Sequence, residues 1–157
     1  MQQEAKHITA IDFSSEVLSI AKEKDIPSNK VTFLRGDAYN LESISGNFDA
    51  CLANFWFSHI SRARVQECLK QLHIKLGKGS RIFMADNVYL RALGGTLIKK
   101  ENDEKTYKKR TLENGSKYEI IKNYYTETEL RNIFRPYSND LEVHIGQCFW
   151  WISYTSR

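Results

Sequence analysis

Long uninterrupted apolar runs are absent from this sequence. No stretch approaches the roughly 18 to 20 consecutive apolar residues that a membrane-spanning helix needs, and the polar N-terminus lacks the apolar segment of a secretion signal. These absences predict a soluble, cytoplasmic protein without membrane partners. With 157 residues, of which 41% are hydrophobic, the chain has about the length of one domain and can bury a core.

Cysteine is also scarce. The three cysteines lie far apart, are odd in number and form no Cys-x-x-Cys pair, which argues against a zinc site or a disulfide framework; they are Cys51, Cys68 and Cys148. Reduced thiols buried as small hydrophobic groups fit this pattern best. The spacing of the histidines suggests no metal site either.

The excess of positive charge is small. A net charge of +4 arises from 23 basic and 19 acidic residues, and most bases alternate with acids, which is typical of a solvated surface. The densest basic segment, Lys108-Lys109-Arg110, is short, so the pattern disfavours a nucleic-acid partner. RNA binding through this triplet is a less favoured hypothesis about the function.

Strand-like and helix-like segments alternate along the first 90 residues. Short β-branched runs predict strands, and apolar residues at helical spacing after Ser14-Ser15 and after Ser61 predict helices that these serines cap. A near-continuous apolar run over 48–57 predicts a strand buried on both faces. The order predicts an α/β fold with a mostly parallel sheet. The predicted strands are Ile8–Phe13, Val31–Leu34, 48–57 and Arg81–Ala85.

The alternation of predicted strands and helices ends after Tyr89. Residues 93–96 and the charged tract after them predict a flexible excursion, and Asn114-Gly115 predicts a hairpin insertion around 105–124. A capping box at Thr126-Glu127-Thr128-Glu129 begins a short helix. Two terminal strands, 141–145 and 148–154, predict an antiparallel C-terminal hairpin. The whole chain, 1–157, is predicted as one domain.

Two acids follow predicted strands. In parallel α/β sheets ligands bind beyond the carboxyl ends of the strands, where Asp12 can accept hydrogen bonds from both hydroxyls of a ribose. Asp37, after Gly36, can accept from an adenine amino group while the amide of Ala38 donates to a ring nitrogen. The alternatives are that Asp12 merely caps the helix after it and that Asp37 is an ordinary turn acid.

Four motifs in this order resemble the class I S-adenosylmethionine-dependent methyltransferases. Ile8-Thr9-Ala10-Ile11-Asp12-Phe13-Ser14 looks like the motif that follows the glycine-rich loop of that family, and Arg35-Gly36-Asp37-Ala38 is similar to its adenine-binding motif. Phe48-Asp49-Ala50 and Leu76-Gly77-Lys78-Gly79-Ser80 resemble the entries to its fourth and fifth strands. The resemblance implies a Rossmann-like methyltransferase fold and S-adenosylmethionine as cofactor.

The resemblance also implies roles for particular residues. Cofactor contacts are expected from six residues: Asp12, Phe13, Asp37, Ala38, Asn54 and Phe55. Ala53-Asn54-Phe55-Trp56 stands where nucleic-acid methylases carry Asn-Pro-Pro-Tyr, so a small-molecule substrate is favoured. Trp56, Tyr124 and Tyr125 are candidate substrate contacts, with core packing as the alternative for the aromatics around Trp56. His59 is a candidate general base, and the preferred reading is that it orients substrate or supports the structure.

One departure from the family pattern is large. The first strand and the Gly-x-Gly loop, which hold the methionine part of the cofactor, have no counterpart here, and residues 2–6 resemble the end of the helix after that loop. The expectation is a truncated methyltransferase whose activity is in doubt and whose central strand is missing. The two flanking strands would then have unpaired edges, which a homodimer could complete. The alternative is a non-catalytic, methyltransferase-like binding or dimerisation module.

Overall fold

The chain forms two compact units, residues 1–46 and residues 47–157. The structure is a computed structural model, and it describes residues 4–24, 26–27, 29–90, 95–101 and 105–157. Within these ranges no helix has both the length and the apolar character needed to cross a membrane.

The first unit is a parallel strand pair with one helix. Strand β1 (Ile8–Asp12) pairs in parallel with β2 (Val31–Arg35), and helix α1 (Ser15–Lys22) connects them. Ser14 caps α1 by accepting a hydrogen bond from the Val17 amide, as predicted. The predicted apolar face of α1 is narrower than expected, because Leu18 is buried whereas Val17 is 49% exposed.

Residues 4–6, part of the segment that resembles a helix end, are not helical, and residues 2–3 lie outside the described ranges. The sequence pattern there was too short to specify a helix, because an isolated helical turn is unstable without packing.

The second unit contains a four-stranded mixed sheet with the strand order β3-β4-β9-β8. Strand β4 pairs in parallel with β3 and antiparallel with β9, and β9 pairs antiparallel with β8. The predicted C-terminal hairpin is therefore present. The strands are β3 (Ala50–Asn54), β4 (Arg81–Asn87), β8 (Glu142–Ile145) and β9 (Phe149–Thr155).

Helices α2 (Val65–Leu76) and α3 (Glu127–Phe134) complete the apolar core of this unit. The core is aromatic: Phe57 and Phe134 have ring centroids 5.1 Å apart, and Phe57 meets Trp150 edge to face at 6.0 Å. Alternate residues of β9 point into the core, as the period of a strand requires; these are Trp150, Ile152 and Tyr154, all fully buried. The predicted capping box of Thr126 and Glu129 begins α3.

A second, three-stranded antiparallel sheet follows β4. Strand β5 (Leu97–Lys99) pairs with β6 (Thr106–Thr111), which pairs with β7 (Lys117–Ile121). The turn between β6 and β7 contains Gly115 at φ +80°, a left-handed conformation that glycine adopts without strain. Of the predicted excursion at 93–96, residues 93 and 94 lie outside the described ranges.

Two sequence-based expectations about this unit are wrong. Strand β3 is not buried on both faces: Ala50, Leu52 and Asn54, which share one face, are exposed, because no described element of the unit covers that face. Ser61 does not cap α2 with its side chain. A 3₁₀ turn over Arg62–Arg64 comes first, so that Arg64 occupies the cap position of α2.

Candidate functional site

Asp12 ends β1 with part of its carboxylate unused. Its Oδ1 accepts a hydrogen bond of 2.8 Å from the Ser14 amide, which fixes the turn into α1. Its Oδ2 has no partner among the described residues, and the side chain is only half-buried. The turn role and a ligand role are therefore compatible, because each uses a different oxygen atom.

Gly36 brings the segment of Asp37 close to the end of β1. The Gly36 amide donates to the Asp12 carbonyl at 3.0 Å. A Cβ atom at this position would lie 2.5 Å from Cγ2 of Ile11, closer than real side chains approach. Glycine is thus required here by lack of space. Asp37 is exposed, and its Oδ1 accepts from the Tyr39 amide at 2.9 Å.

Phe13 stands next to these acids with 66% of its surface exposed. The Arg35 guanidinium lies 5.3 Å from the centroid of the Phe13 ring, and its Nε donates to the Phe13 carbonyl at 3.2 Å. Ala38 is half-buried. The first unit thereby brings four of the six predicted cofactor contacts together, at the carboxyl ends of two adjacent parallel strands.

The other two predicted cofactor contacts, Asn54 and Phe55, end β3 in the second unit. Phe55 adopts φ +55°, the one left-handed conformation recorded at a described non-glycine residue, and strain of this kind concentrates at functional positions. Its amide donates to the Ala85 carbonyl at 2.8 Å, while its ring is half-exposed and meets Phe149 edge to face. Asn54 is exposed, so water can solvate its side-chain amide.

His59 lies at the end of a 3₁₀ turn (Phe57–His59) that follows Trp56, which is half-buried. Its Nδ1 lies 2.7 Å from the Ile121 carbonyl, and this contact requires a proton on Nδ1. In the neutral ring, Nε2 then carries the basic lone pair, and Nε2 has no hydrogen-bond partner in the described part of the chain. Burial lowers the pKa of His59, and the positive charges of Lys122 and Arg110 lower it further, whereas the Ile121 contact and Asp86 oppose this shift.

A buried ion pair that the sequence analysis missed lies beside His59. Lys122 donates from Nζ to Asp86 Oδ1 at 2.9 Å, to Ser58 Oγ at 2.6 Å and to Asn87 Oδ1 at 3.0 Å. Asp86 is fully buried, and its Oδ2 accepts from the Ser58 amide at 2.8 Å. The pair therefore fixes the backbone of the turn that carries His59. A sequence signal existed, because each residue is a charge directly after an apolar run.

The two candidate substrate tyrosines differ in exposure. Tyr124 is half-buried, and its ring meets that of Tyr89 edge to face at 5.1 Å. Tyr125 is only 6% exposed and packs between Phe57 and the guanidinium of Arg62, and burial raises its pKa to about 12. The structure thus places Tyr124 where a ligand can reach it and Tyr125 in the core. Their substrate roles stay predictions.

The sequence of residues 1–79 matches the model of a family described as "Methyltransferase domain". This match covers half of the 157 residues. The chain belongs to the methyltransferase domain family. A comparison with curated proteins finds no match.

Solved structures are similar to this chain in fold. A DhpI complex with SAM and HEP is similar with a TM-score of 0.77 at 18% identity, over 97% of this chain and 69% of that one. The glycopeptide N-methyltransferase MtfA, complexed with S-adenosyl-L-methionine, has a TM-score of 0.64 at 11% identity, over 95% of this chain and 77% of that one. PH0226 from Pyrococcus horikoshii OT3 is similar with a TM-score of 0.69 at 14% identity, over 96% of this chain and 74% of that one. At these identities the likeness shows the fold: a Rossmann-like methyltransferase fold, as predicted.

Proposed function

We propose that this methyltransferase transfers a methyl group from S-adenosylmethionine to a small molecule. The observation that carries the proposal is Asp12, whose Oδ2 has no partner among the described residues and which stands at the carboxyl end of a parallel strand, beside the exposed ring of Phe13. A carboxylate with a free oxygen suits a ribose diol, because both hydroxyls donate. An apolar ring and a second acid, Asp37, suit an adenine base with its amino group.

S-adenosylmethionine, when bound, supplies a methyl group on a sulfonium centre, and the reaction is an in-line displacement by a nucleophile of the substrate. The part of the protein in such a transfer is chiefly alignment and exclusion of water. Phe55 and Trp56 offer aromatic faces, which attract cations. His59 Nε2 accepts the proton of a substrate hydroxyl or amine, since its Nδ1 proton is held by the Ile121 carbonyl.

The test is calorimetric titration of the chain with S-adenosylmethionine. Wild-type protein is expected to bind, and Asp12→Asn is expected to weaken binding about tenfold or more, because hydrogen bonds to a charged group contribute about 1.5 to 3 kcal/mol. The Asn variant keeps an acceptor for the Ser14 amide and so preserves the turn. Glu42→Gln, an exposed acid in a 3₁₀ turn of the same unit, is the matched control and should bind as the wild type does.

Failure of the wild-type chain to bind S-adenosylmethionine would overturn the proposal and favour the non-catalytic module. One observation is compatible with that alternative: among the described residues, β1 pairs with β2 alone and β3 pairs with β4 alone. Each of these strands therefore has a free edge that another strand could join. The cytoplasmic location and the organisation as one domain remain predictions.

A further inference from the structure

The strand register divides the basic triplet Lys108-Lys109-Arg110 between the two faces of the three-stranded sheet. Arg110 stands opposite Tyr118, and Lys108 stands opposite Ile120. Because side chains alternate along a strand, Lys108 and Arg110 share one face and Lys109 lies on the other. The triplet is therefore not one continuous basic patch.

The face of Lys108 and Arg110 carries bases without acids. The register adds Lys99, opposite Thr106, to this side of the sheet, and no acid occupies it within the three strands. We call the three side chains Lys99, Lys108 and Arg110 the cationic face. On the opposite face Glu119 forms an ion pair of 2.8 Å with Lys100, beside Lys109 and Lys117.

The cationic face is turned toward His59 and the buried ion pair. Lys122 follows β7 directly and, by alternation, lies on the same side as Ile120 and Lys108. Its ammonium bonds Asp86 and Ser58, and its Nζ lies 5.9 Å from the centroid of the Tyr124 ring. The Lys122 contacts therefore attach this side of the small sheet to the turn that carries His59.

The charges around His59 do not cancel. Lys122 and Asp86 neutralise each other, but Lys108 and Arg110 have no acidic partner among the described residues. The positive charge of Arg110 also lowers the His59 pKa, less than burial and Lys122 do. A guanidinium in this position suits a carboxylate or a phosphoryl group, which it can bind through two parallel hydrogen bonds.

We propose that the substrate is a small organic anion whose carboxylate or phosphoryl group binds Lys108 and Arg110 on the cationic face, with its nucleophile toward His59. This inference rests on the proposed function, because it names the substrate class of that transfer. It assigns strand β6 of the hairpin a role in substrate selection.

The experiment uses inorganic phosphate and acetate as separate probes, with imidazole signals of the isotope-labelled chain as the readout. The chain has four histidines, and His59→Gln identifies the signal of His59. Addition of one probe or both is expected to shift that signal saturably. Arg110→Gln should weaken the binding about tenfold, which corresponds to about 1.4 kcal/mol. Lys109→Gln, a neighbour on the opposite face, is the matched control and should leave the affinity unchanged.

Three outcomes would overturn the inference: no saturable shift with either anion, equal losses in Arg110→Gln and Lys109→Gln, or tighter binding of a single-stranded RNA oligonucleotide that both variants weaken equally. The last result would favour an RNA surface. Titration with S-adenosylmethionine on the same samples separates this inference from the proposed function. If the chain binds the anions but not S-adenosylmethionine, only the proposed methyl transfer is contradicted. If it binds S-adenosylmethionine but neither anion, only the proposed anionic substrate is contradicted.

Discussion

At the scale of single residues, the protonation of His59 is the most sensitive property of the site. Burial and two neighbouring cations lower its pKa, so the ring is neutral and Nε2 basic at neutral pH. Arg110→Gln removes the weaker of the two cationic effects, and we expect a small rise of the His59 pKa. Titration of the imidazole signals without added anions measures this change. Lys109→Gln serves as the control, and an unchanged His59 pKa in Arg110→Gln would contradict the prediction.

Gly36 offers a steric test of the first unit. We expect Gly36→Ala to destabilise the unit by about 1 to 3 kcal/mol, the usual cost of overpacking, because the added Cβ would lie 2.5 Å from Cγ2 of Ile11. The free energy of unfolding in urea measures the loss. Ile11→Ala removes the clashing atom. The free energy of unfolding should therefore fall less in the double variant than the falls in the two single variants add up to. Strict additivity would show that the contact is not the cause.

Asp12 and the Asp86–Lys122 pair differ in how far the sequence could predict them. Asp12 accepts a hydrogen bond from the Ser14 amide, so its place in the turn follows from a local motif, and its cofactor contact stays a prediction. Asp86 and Lys122 are 36 positions apart, and each alone looks like an ordinary surface charge after an apolar run. Their pairing depends on where β7 ends relative to β4, which only the tertiary fold determines.

At the scale of elements, Lys122 attaches the three-stranded sheet to β4 and to the turn of His59. We expect Lys122→Met to cost about 3 to 5 kcal/mol, because it leaves the buried Asp86 carboxylate without its counter-charge. Urea unfolding measures the change. Lys117→Met, an exposed lysine of β7, is the control and should alter stability little. A similar small effect in both variants would mean that Asp86 does not depend on Lys122.

The elements also show which sequence signals suffice. The hairpin around Asn114-Gly115 and the capping box at Thr126 were predictable, because turn and cap chemistry are local. The exposure of Leu52 was not, because burial depends on what covers a face, and an apolar composition alone cannot specify that. Strand β5 was also missed: it has only three residues, and its pairing with β6 gives it its conformation.

At the scale of the whole molecule, alternation of strands and helices was sufficient to predict the fold class, and the match over residues 1–79 supports the family. The order of the strands in the sheet could not be predicted from the sequence of any single strand or helix. Strand β9 inserts between β4 and β8, so the C-terminal segment joins the sheet in its interior. Such long-range pairing follows from the burial of Trp150, Ile152 and Tyr154 together, which no local pattern specifies.

The stability of the whole chain should depend on pH through its half-buried histidines, His59 and His73. His73 donates from Nδ1 to the Leu69 carbonyl at 2.6 Å, and its Nε2 accepts from the Tyr154 hydroxyl at 2.9 Å, so the folded state favours the neutral ring. Burial lowers the pKa of His73 and also that of His59 below the usual 6.5. The unfolded chain therefore binds more protons than the folded chain below pH 6.5, and stability falls as the pH drops through the folded pKa values.

Urea unfolding at a series of pH values from about 7.5 to 5.5, a range above the ordinary carboxylate pKa values, is expected to give a free energy of unfolding that declines toward the acid end. His73→Gln should flatten this decline, since one of the two shifted groups is gone, even if the variant is less stable at every pH. Lys70→Gln, on the same helix, removes a charge but no imidazole and should keep the wild-type slope. Parallel pH profiles for His73→Gln and the wild type would exclude His73 as a source of the dependence, because the slope reports only the difference in bound protons between the two states.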